Sequence, residues 1–163
     1  MLKVAPNFYF IAGPKDGRHP YAHFMYIDDQ VPTLLDTGWG RESLLNLGNE
    51  RIALIINSHF HLDHTGNNLA FPGARVWAHR LDAPALRSRQ NFVEYYGLDF
   101  SRSWLDVSQI TQSRVDRELE DQDRICLGEV ELRVVHTPGH SPGHCVFWCR
   151  EESLIYGGDM DLS

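Results

Sequence analysis

Ser58-His59-Phe60-His61-Leu62-Asp63-His64-Thr65-Gly66 follows, after Asn57 alone, on the apolar run Ile52-Ala53-Leu54-Ile55-Ile56. A run that apolar reads as a strand buried on both faces. The histidine-rich segment then falls in the loop at its carboxyl end, where open α/β sheets place their ligands. Three imidazoles and a carboxylate lie within six residues, and neutral imidazole and carboxylate are donors that zinc, iron(II) and manganese(II) accept. Any one of these histidines alone would read as part of a polar surface turn. Together, at this spacing, they read as metal ligands. In an extended backbone His59, His61 and Asp63 share one side while Phe60 and His64 point elsewhere, so one short loop could serve two adjacent ions.

Outward from that loop, the chain of 163 residues has the size of one ordinary domain, with 42% hydrophobic and 23% charged residues, as in a soluble globular protein. No apolar stretch approaches the roughly 20 residues of a membrane span, and Met1-Leu2-Lys3-Val4-Ala5-Pro6-Asn7 lacks the apolar core of a signal peptide. A cytoplasmic protein without a membrane partner is expected. The net charge of −7 repels phosphate backbones, so no nucleic-acid partner is expected either. Cys126, Cys145 and Cys149 are too few for a disulfide framework. Cys145 and Cys149, four apart on one strand, are too far from each other to bridge and read as buried thiols.

The elements before the loop read as a strand over Asn7–Ile11, a hairpin of Tyr21–Ile27 with Val31–Asp36, and a short helix over Glu42–Leu47. Asp36, in Asp36-Thr37-Gly38, has two readings that stand side by side. It is either a carboxylate orienting a metal-bound histidine or a turn acceptor for backbone amides. After the loop, Gly66–Leu69 is expected to start a helix and Arg75–Ala78 to form a strand. Between about residues 80 and 112, apolar groups recur at helical intervals (Leu81, Ala85, Leu86, Phe92, Tyr95, Tyr96, Leu98), which predicts a helical insertion broken at Gly97-Leu98-Asp99. Its aromatic residues read as packing, with a substrate lid as the alternative. Arg114–Arg124 reads as a solvated edge strand and turn.

Two further turns repeat the arrangement of the first loop. Val130–Val134 alternates as a half-buried strand and delivers His136-Thr137-Pro138-Gly139-His140-Ser141-Pro142-Gly143-His144. Leu154-Ile155-Tyr156 leads to Gly157-Gly158-Asp159. His140, flanked by glycines that let the backbone bend tightly, is the expected ligand of its turn. His136 and His144 are expected to be structural, and Asp159 suits a bridging carboxylate.

In order and spacing, His59-Phe60-His61-Leu62-Asp63-His64, Thr137-Pro138-Gly139-His140-Ser141-Pro142-Gly143 and Gly157-Gly158-Asp159 resemble three successive motifs of the metallo-β-lactamase-fold hydrolase superfamily. Asp36-Thr37-Gly38 resembles its earlier aspartate-glycine turn, and the likeness runs from about residue 20 to 161. The Thr137–Gly143 segment is most similar to hydroxyacylglutathione hydrolases (glyoxalase II) and their relatives. The resemblance implies an α/β αββα sandwich of two mixed sheets with outer helices. It implies one ion on His59, His61 and His140 and a second on Asp63 and His64, with Asp159 bridging. Two zinc ions are expected, with iron or manganese as alternatives. A hydroxide between the ions is the implied nucleophile, which Asp63 would steer or serve as proton carrier, toward a small-molecule thioester, ester or lactone.

Members of this superfamily normally carry a further histidine beyond the bridging aspartate, whereas here Asp159-Met160-Asp161-Leu162-Ser163 closes the sequence. His19, His23, His79, His136 and His144 all occur too early to take that place. The resemblance therefore predicts a single domain over 1–163 that is incomplete at its carboxyl end, and an isolated chain prone to form homo-oligomers. Four other readings compete: a persulfide dioxygenase with one iron on His59, His140 and Asp159, a metal-binding or interaction module without turnover, a processing nuclease, and a β-lactamase proper, which is disfavoured because no penicillin-recognition element can be singled out. The nuclease reading is disfavoured by the charge.

Overall fold

Leu54, Ile55 and Ile56 have no solvent-exposed surface, which requires neighbours on both faces of their strand. The computed structural model describes residues 1–47, 50–97 and 112–160. Seven strands form the first sheet: β1 (Leu2–Ala5), β2 (Phe8–Ile11), β3 (Phe24–Ile27), β4 (Thr33–Leu35), β5 (Leu54–Ile56), β6 (Arg75–His79) and β7 (Arg117–Leu119), in that spatial order. β1 to β4 pair antiparallel and β4 to β7 parallel, so the sheet is mixed. The second sheet holds β8 (Arg124–Cys126), β9 (Glu131–His136), β10 (Cys145–Cys149) and β11 (Leu154–Tyr156) in the order β11-β10-β9-β8, all antiparallel.

The period of two in β5 divides its side chains between two cores. Leu54 and Ile56 join Phe8, Ile27 and Leu35 against Leu132, Val134 and Phe147 of the second sheet. Ile55 joins Phe24, Tyr26, Leu34 and Val76 on the opposite face, packed with Leu47, Ile52 and Ala74. Each side chain of this size contributes about 1.5–3 kcal/mol when withdrawn from water. Helices α2 (Ala83–Arg87) and α3 (Arg89–Tyr96) close a third cluster with Phe60, Leu62, Ala78 and Val115. No helix among the described residues is long and apolar enough to cross a membrane. Cys145 and Cys149 are buried free thiols, as expected, and Cys126 is exposed.

The parallel pairing has a direct consequence for the site. The residues following β4, β5 and β6, namely Asp36, Ser58–His61 and Asp82, emerge at one end of the sheet. The amide of Cys145, at the start of β10, donates to the carbonyl of Ser58 at 2.8 Å and ties the second sheet to that same end.

Several local expectations need correction. The loop does not stay extended through Asp63: His61 is extended, and Leu62–Thr65 then forms one helical turn, α1. Leu62 enters the Phe60 and Phe92 cluster, and that burial curls the chain inward. The helix therefore begins before Gly66 rather than at it. Gly66 is required for a different reason, since a Cβ there would lie 2.3 Å from Trp39 and 2.7 Å from the carbonyl of Leu62. Only a short 3-10 turn, Asn68–Ala70, follows. β1 was not expected; it pairs with β2 across a tight turn in which Asn7 takes a left-handed φ of 64°. Of the helical insertion, α2 and α3 lie within the described residues, while 98–111 lie outside them, as do Leu98 and Asp99 of the expected break. β7 and β8 are edge strands, one in each sheet, as the charge-rich Arg114–Arg124 segment implied.

Candidate metal centre

The helical turn after His61 brings together rings that an extended loop would have separated. The His59 ring lies 4.3 Å from that of His64, 4.6 Å from His61 and 4.8 Å from His140, centroid to centroid. His140 Nε2 and His61 Nδ1 are 2.9 Å apart. His64 Nε2 lies 2.9 Å from Asp159 Oδ1, and His140 Nε2 lies 3.4 Å from Asp159 Oδ2. Two overlapping groups could each hold a metal ion: His59, His61 and His140, and His59, His64 and Asp159, with ligand atoms in each within 4.8 Å of one another. Asp63 stands slightly apart, its Oδ2 being 3.8 Å from His64 Nε2 and 4.0 Å from His19 Nδ1.

The donors suit a cation. His59 Nε2 and His64 Nε2 are buried without a hydrogen-bond partner, an arrangement that costs about 1–3 kcal/mol per group unless something else satisfies it. His64 Nε2 does have Asp159 Oδ1 beside it at 2.9 Å, a carboxylate that favours the charged ring. Burial, followed by the neighbouring imidazoles, holds His59 well below its usual pKa and pushes His61 down to about 3. Both are neutral at physiological pH, the state that ligates. For His64 burial acts in the same direction, but Asp36 and Asp159 outweigh it and lift the ring to about 10. Burial also opposes ionisation of Asp159, yet His64 and the other imidazoles hold it down to about 2. Asp63 is raised, chiefly by burial.

Asp36 accepts from a backbone amide, as a turn acceptor would, and also holds a histidine of one candidate ligand group. Oδ2 accepts from His64 Nδ1 at 2.7 Å, and Oδ1 accepts from the Ser58 amide at 2.7 Å. The Ser58 hydroxyl and the Tyr156 hydroxyl also donate to Oδ2, at 2.6 and 2.7 Å. The Nδ1 proton of His64 is thereby fixed and its Nε2 turned toward Asp159. His136 stacks on His79 at 4.1 Å and its Nε2 meets the carbonyl of Pro142 at 2.9 Å, outside both ligand groups. His144 bonds Thr137 Oγ1 through Nδ1 at 2.8 Å. Its Nε2 is buried without a partner and it belongs to neither ligand group.

The aromatic helix packs, and also reaches the site. Phe92 and Tyr96 set their rings edge-on to Phe60, and the Tyr96 ring lies 4.7 Å from that of His61. Two clefts open beside the cluster. One of about 540 Å³ includes His19, Tyr21, Met25, Asp63 and Tyr156, the other of about 490 Å³ includes Pro138, His140 and Met160, and Asp159 borders both. Sequence reasoning missed Ser58, Tyr156 and Asp82. Asp82 stands before Ala83-Pro84, where an aspartate commonly caps a helix, so its local sequence gives no sign of a place in the site.

A two-sheet α/β sandwich with a histidine and aspartate cluster at one end defines a superfamily of metal-handling folds. Residues 20–163 match the metallo-beta-lactamase superfamily model, and the chain belongs to that superfamily. It is 31% identical over 115 residues to a hydroxyacylglutathione hydrolase of Rhodospirillum rubrum, a match covering 69% of this chain and 35% of that protein. It is 30% identical over 125 residues to the acyl-coenzyme A thioesterase MBLAC2 of Homo sapiens, covering 68% of this chain and 42% of that protein. Among solved structures it is similar to BJP-1, a subclass B3 metallo-beta-lactamase of Bradyrhizobium japonicum. That likeness has a TM-score of 0.70 and 28% identity, over 91% of this chain and 55% of the other. A metallo-beta-lactamase of Cronobacter sakazakii shares the fold at a TM-score of 0.74 and 24% identity, over 98% and 61% of the two chains. The chain thus spans between about a third and two thirds of the lengths of these proteins.

Proposed function

We propose that the protein is a metal-dependent hydrolase of thioesters or related esters, with two zinc ions as its cofactor. The observation that carries this is the pair of ligand groups sharing His59, whose Nε2 is buried without a hydrogen-bond partner. The thioester preference rests on the hydroxyacylglutathione hydrolase and acyl-coenzyme A thioesterase among the relatives. His59, His61 and His140 would hold one ion, and His64 and Asp159 the second, with Asp63, 3.8 Å from His64 Nε2, as its further carboxylate. Bound there, divalent ions supply Lewis-acid activation of water and of a carbonyl.

The remaining work falls to this chain's side chains. His59 and His61 are kept neutral by burial and by each other, so they present lone pairs without first losing a proton. Asp36 holds the Nδ1 side of His64 and so decides which nitrogen faces the cluster. Asp63, raised by burial and bordering the larger cleft, is placed to take a proton from water and return it to the departing thiol. The two clefts meeting at Asp159 offer room for the acyl and thiol halves of a substrate on either side of the cluster.

The test combines metal analysis with turnover. The protein as purified should contain zinc, hydrolyse a generic thioester, and lose activity to a chelator with recovery on adding zinc. Thioester hydrolysis that persists after complete metal removal refutes the reading. One iron per chain with oxygen uptake on a persulfide replaces it with the dioxygenase alternative.

A further inference from the structure

Asp82 sits at the start of α2, where an aspartate ordinarily caps the helix, yet its side chain makes no cap bond there. The carboxylate turns inward instead and the residue has no exposed surface. Oδ2 accepts from the Phe60 amide at 3.0 Å and from the Ser141 hydroxyl at 2.6 Å, and Oδ1 accepts from the Gly143 amide at 2.6 Å. Phe60 lies between His59 and His61, and Ser141 directly follows His140. One buried carboxylate therefore grips both loops that carry the three-histidine group, although His61 and His140 are 79 positions apart in the chain. The approach is close enough to dictate a residue: a Cβ at position 143 would lie 2.7 Å from both the amide nitrogen and Oδ1 of Asp82.

We propose that Asp82 is a positioning residue that sets the separation of the His59–His61 loop from the His140 loop, and through it the geometry of the His59, His61 and His140 group. The inference rests on the metal reading of that group. Asp36 serves the other group through His64, so each ligand group has its own buried carboxylate. The donors make Asp82 hard to replace even by its isostere. The amides of Phe60 and Gly143 point at different oxygens and neither can reverse. An asparagine, whichever way its amide is turned, sets an N–H group against one of them, while only the Ser141 hydroxyl can rotate to accept.

The test is zinc affinity by chelator competition, together with the visible spectrum of the cobalt-substituted protein, for wild type, Asp82→Asn and a matched control, Asp29→Asn. Asp29 is also a carboxylate clamp, accepting from the amides of Gln30, Glu129 and Val130 at 2.7, 3.2 and 2.7 Å. It precedes β4, at the opposite end of that strand from Asp36. Asp82→Asn should weaken zinc binding about 10- to 100-fold, as loss of a residue supporting the ligands does, and alter the cobalt spectrum. Asp29→Asn should lower the thermal midpoint while leaving both metal readouts at wild-type values. Wild-type affinity in Asp82→Asn, or equal losses in the two variants, overturns the inference, the second outcome making Asp82 a matter of general stability. If Asp82→Asn does not fold, Ser141→Ala removes one of the three bonds and should still weaken binding measurably, and unchanged affinity there overturns the inference as well. A wild-type protein that binds no metal refutes the metal reading itself, and this inference with it.

Discussion

Replacing Asp36 by asparagine should both destabilise the protein and reset the protonation of His64. Asp36 has a left-handed φ of 62°, which asparagine accepts readily and alanine does not, so Asp36→Asn changes charge without adding backbone strain. Four donors converge on the carboxylate: the Ser58 amide on Oδ1, and the Ser58 hydroxyl, His64 Nδ1 and Tyr156 hydroxyl on Oδ2. The Ser58 amide cannot reverse, so the asparagine oxygen stays with it and the NH2 group takes the place of Oδ2. The two hydroxyls can rotate to accept. His64 Nδ1 can accept only by giving up its proton, which leaves the ring neutral and protonated on Nε2. Removing one partner of a buried ion pair costs about 3–5 kcal/mol. With the hydroxyls adapting, a loss of about 3 kcal/mol is expected, or about 6–12 °C in thermal midpoint for a domain of this size. His64 is lifted to about 10 in the metal-free protein, above its unfolded value. That contribution to stability is complete below about pH 6.5 and fades as pH rises toward about 10, and the variant should lose this alkaline slope. Thermal unfolding of metal-free protein from pH 6 to 10, with NMR titration of the histidine rings, measures both effects. A midpoint unchanged at neutral pH, with His64 still titrating near 10, would show that Asp36 does not hold this histidine.

Two other perturbations give distinct expectations. His140→Ala removes one of only three donors in the first group and should abolish tight zinc binding there. His19→Ala, which alters a residue beside Asp63 but outside both ligand groups, should retain it, and equal retention by equilibrium dialysis would place the site elsewhere. His79 provides a pH probe remote from the cluster: burial, then the stacked His136, pushes it down to about 4, with Arg80 adding to the effect and Asp121 and Asp123 opposing it. Because the unfolded chain binds the proton more readily, stability should fall by about 2–3 kcal/mol as pH drops from about 6.5 to about 4. His79→Asn, which keeps an acceptor for the Leu81 amide, should reduce that dependence in urea denaturation, and an identical acid profile in both proteins would exclude His79 as its source.

The parts of this molecule legible from its sequence are those whose signal is local. Leu54–Ile56 is apolar at every position because both faces are covered, and the alternation in Val130–Val134 reports a strand with one wet face. The His59–His64 loop and His140 stood out locally as candidate ligands, while their grouping into one set came from the family resemblance. What stayed hidden depends on partners far away in the chain. Tyr156 reaches Asp36 across 120 positions and Ser141 reaches Asp82 across 59, and neither contact leaves a mark on adjacent residues. The turn of α1 was obscured for a related reason. Alternation predicts where Asp63 and His64 point only if the strand continues, and it was the burial of Leu62 among Phe60 and Phe92 that curled it. That curl has an electrostatic consequence. It brings His64 within 4.3 Å of the His59 ring, a juxtaposition of two buried imidazoles that would repel if both were charged. The two carboxylates at His64, Asp36 and Asp159, make it the ring that holds the proton while His59 stays neutral. The cluster therefore concentrates its positive charge between Asp36 and Asp159, while the His59 side stays neutral.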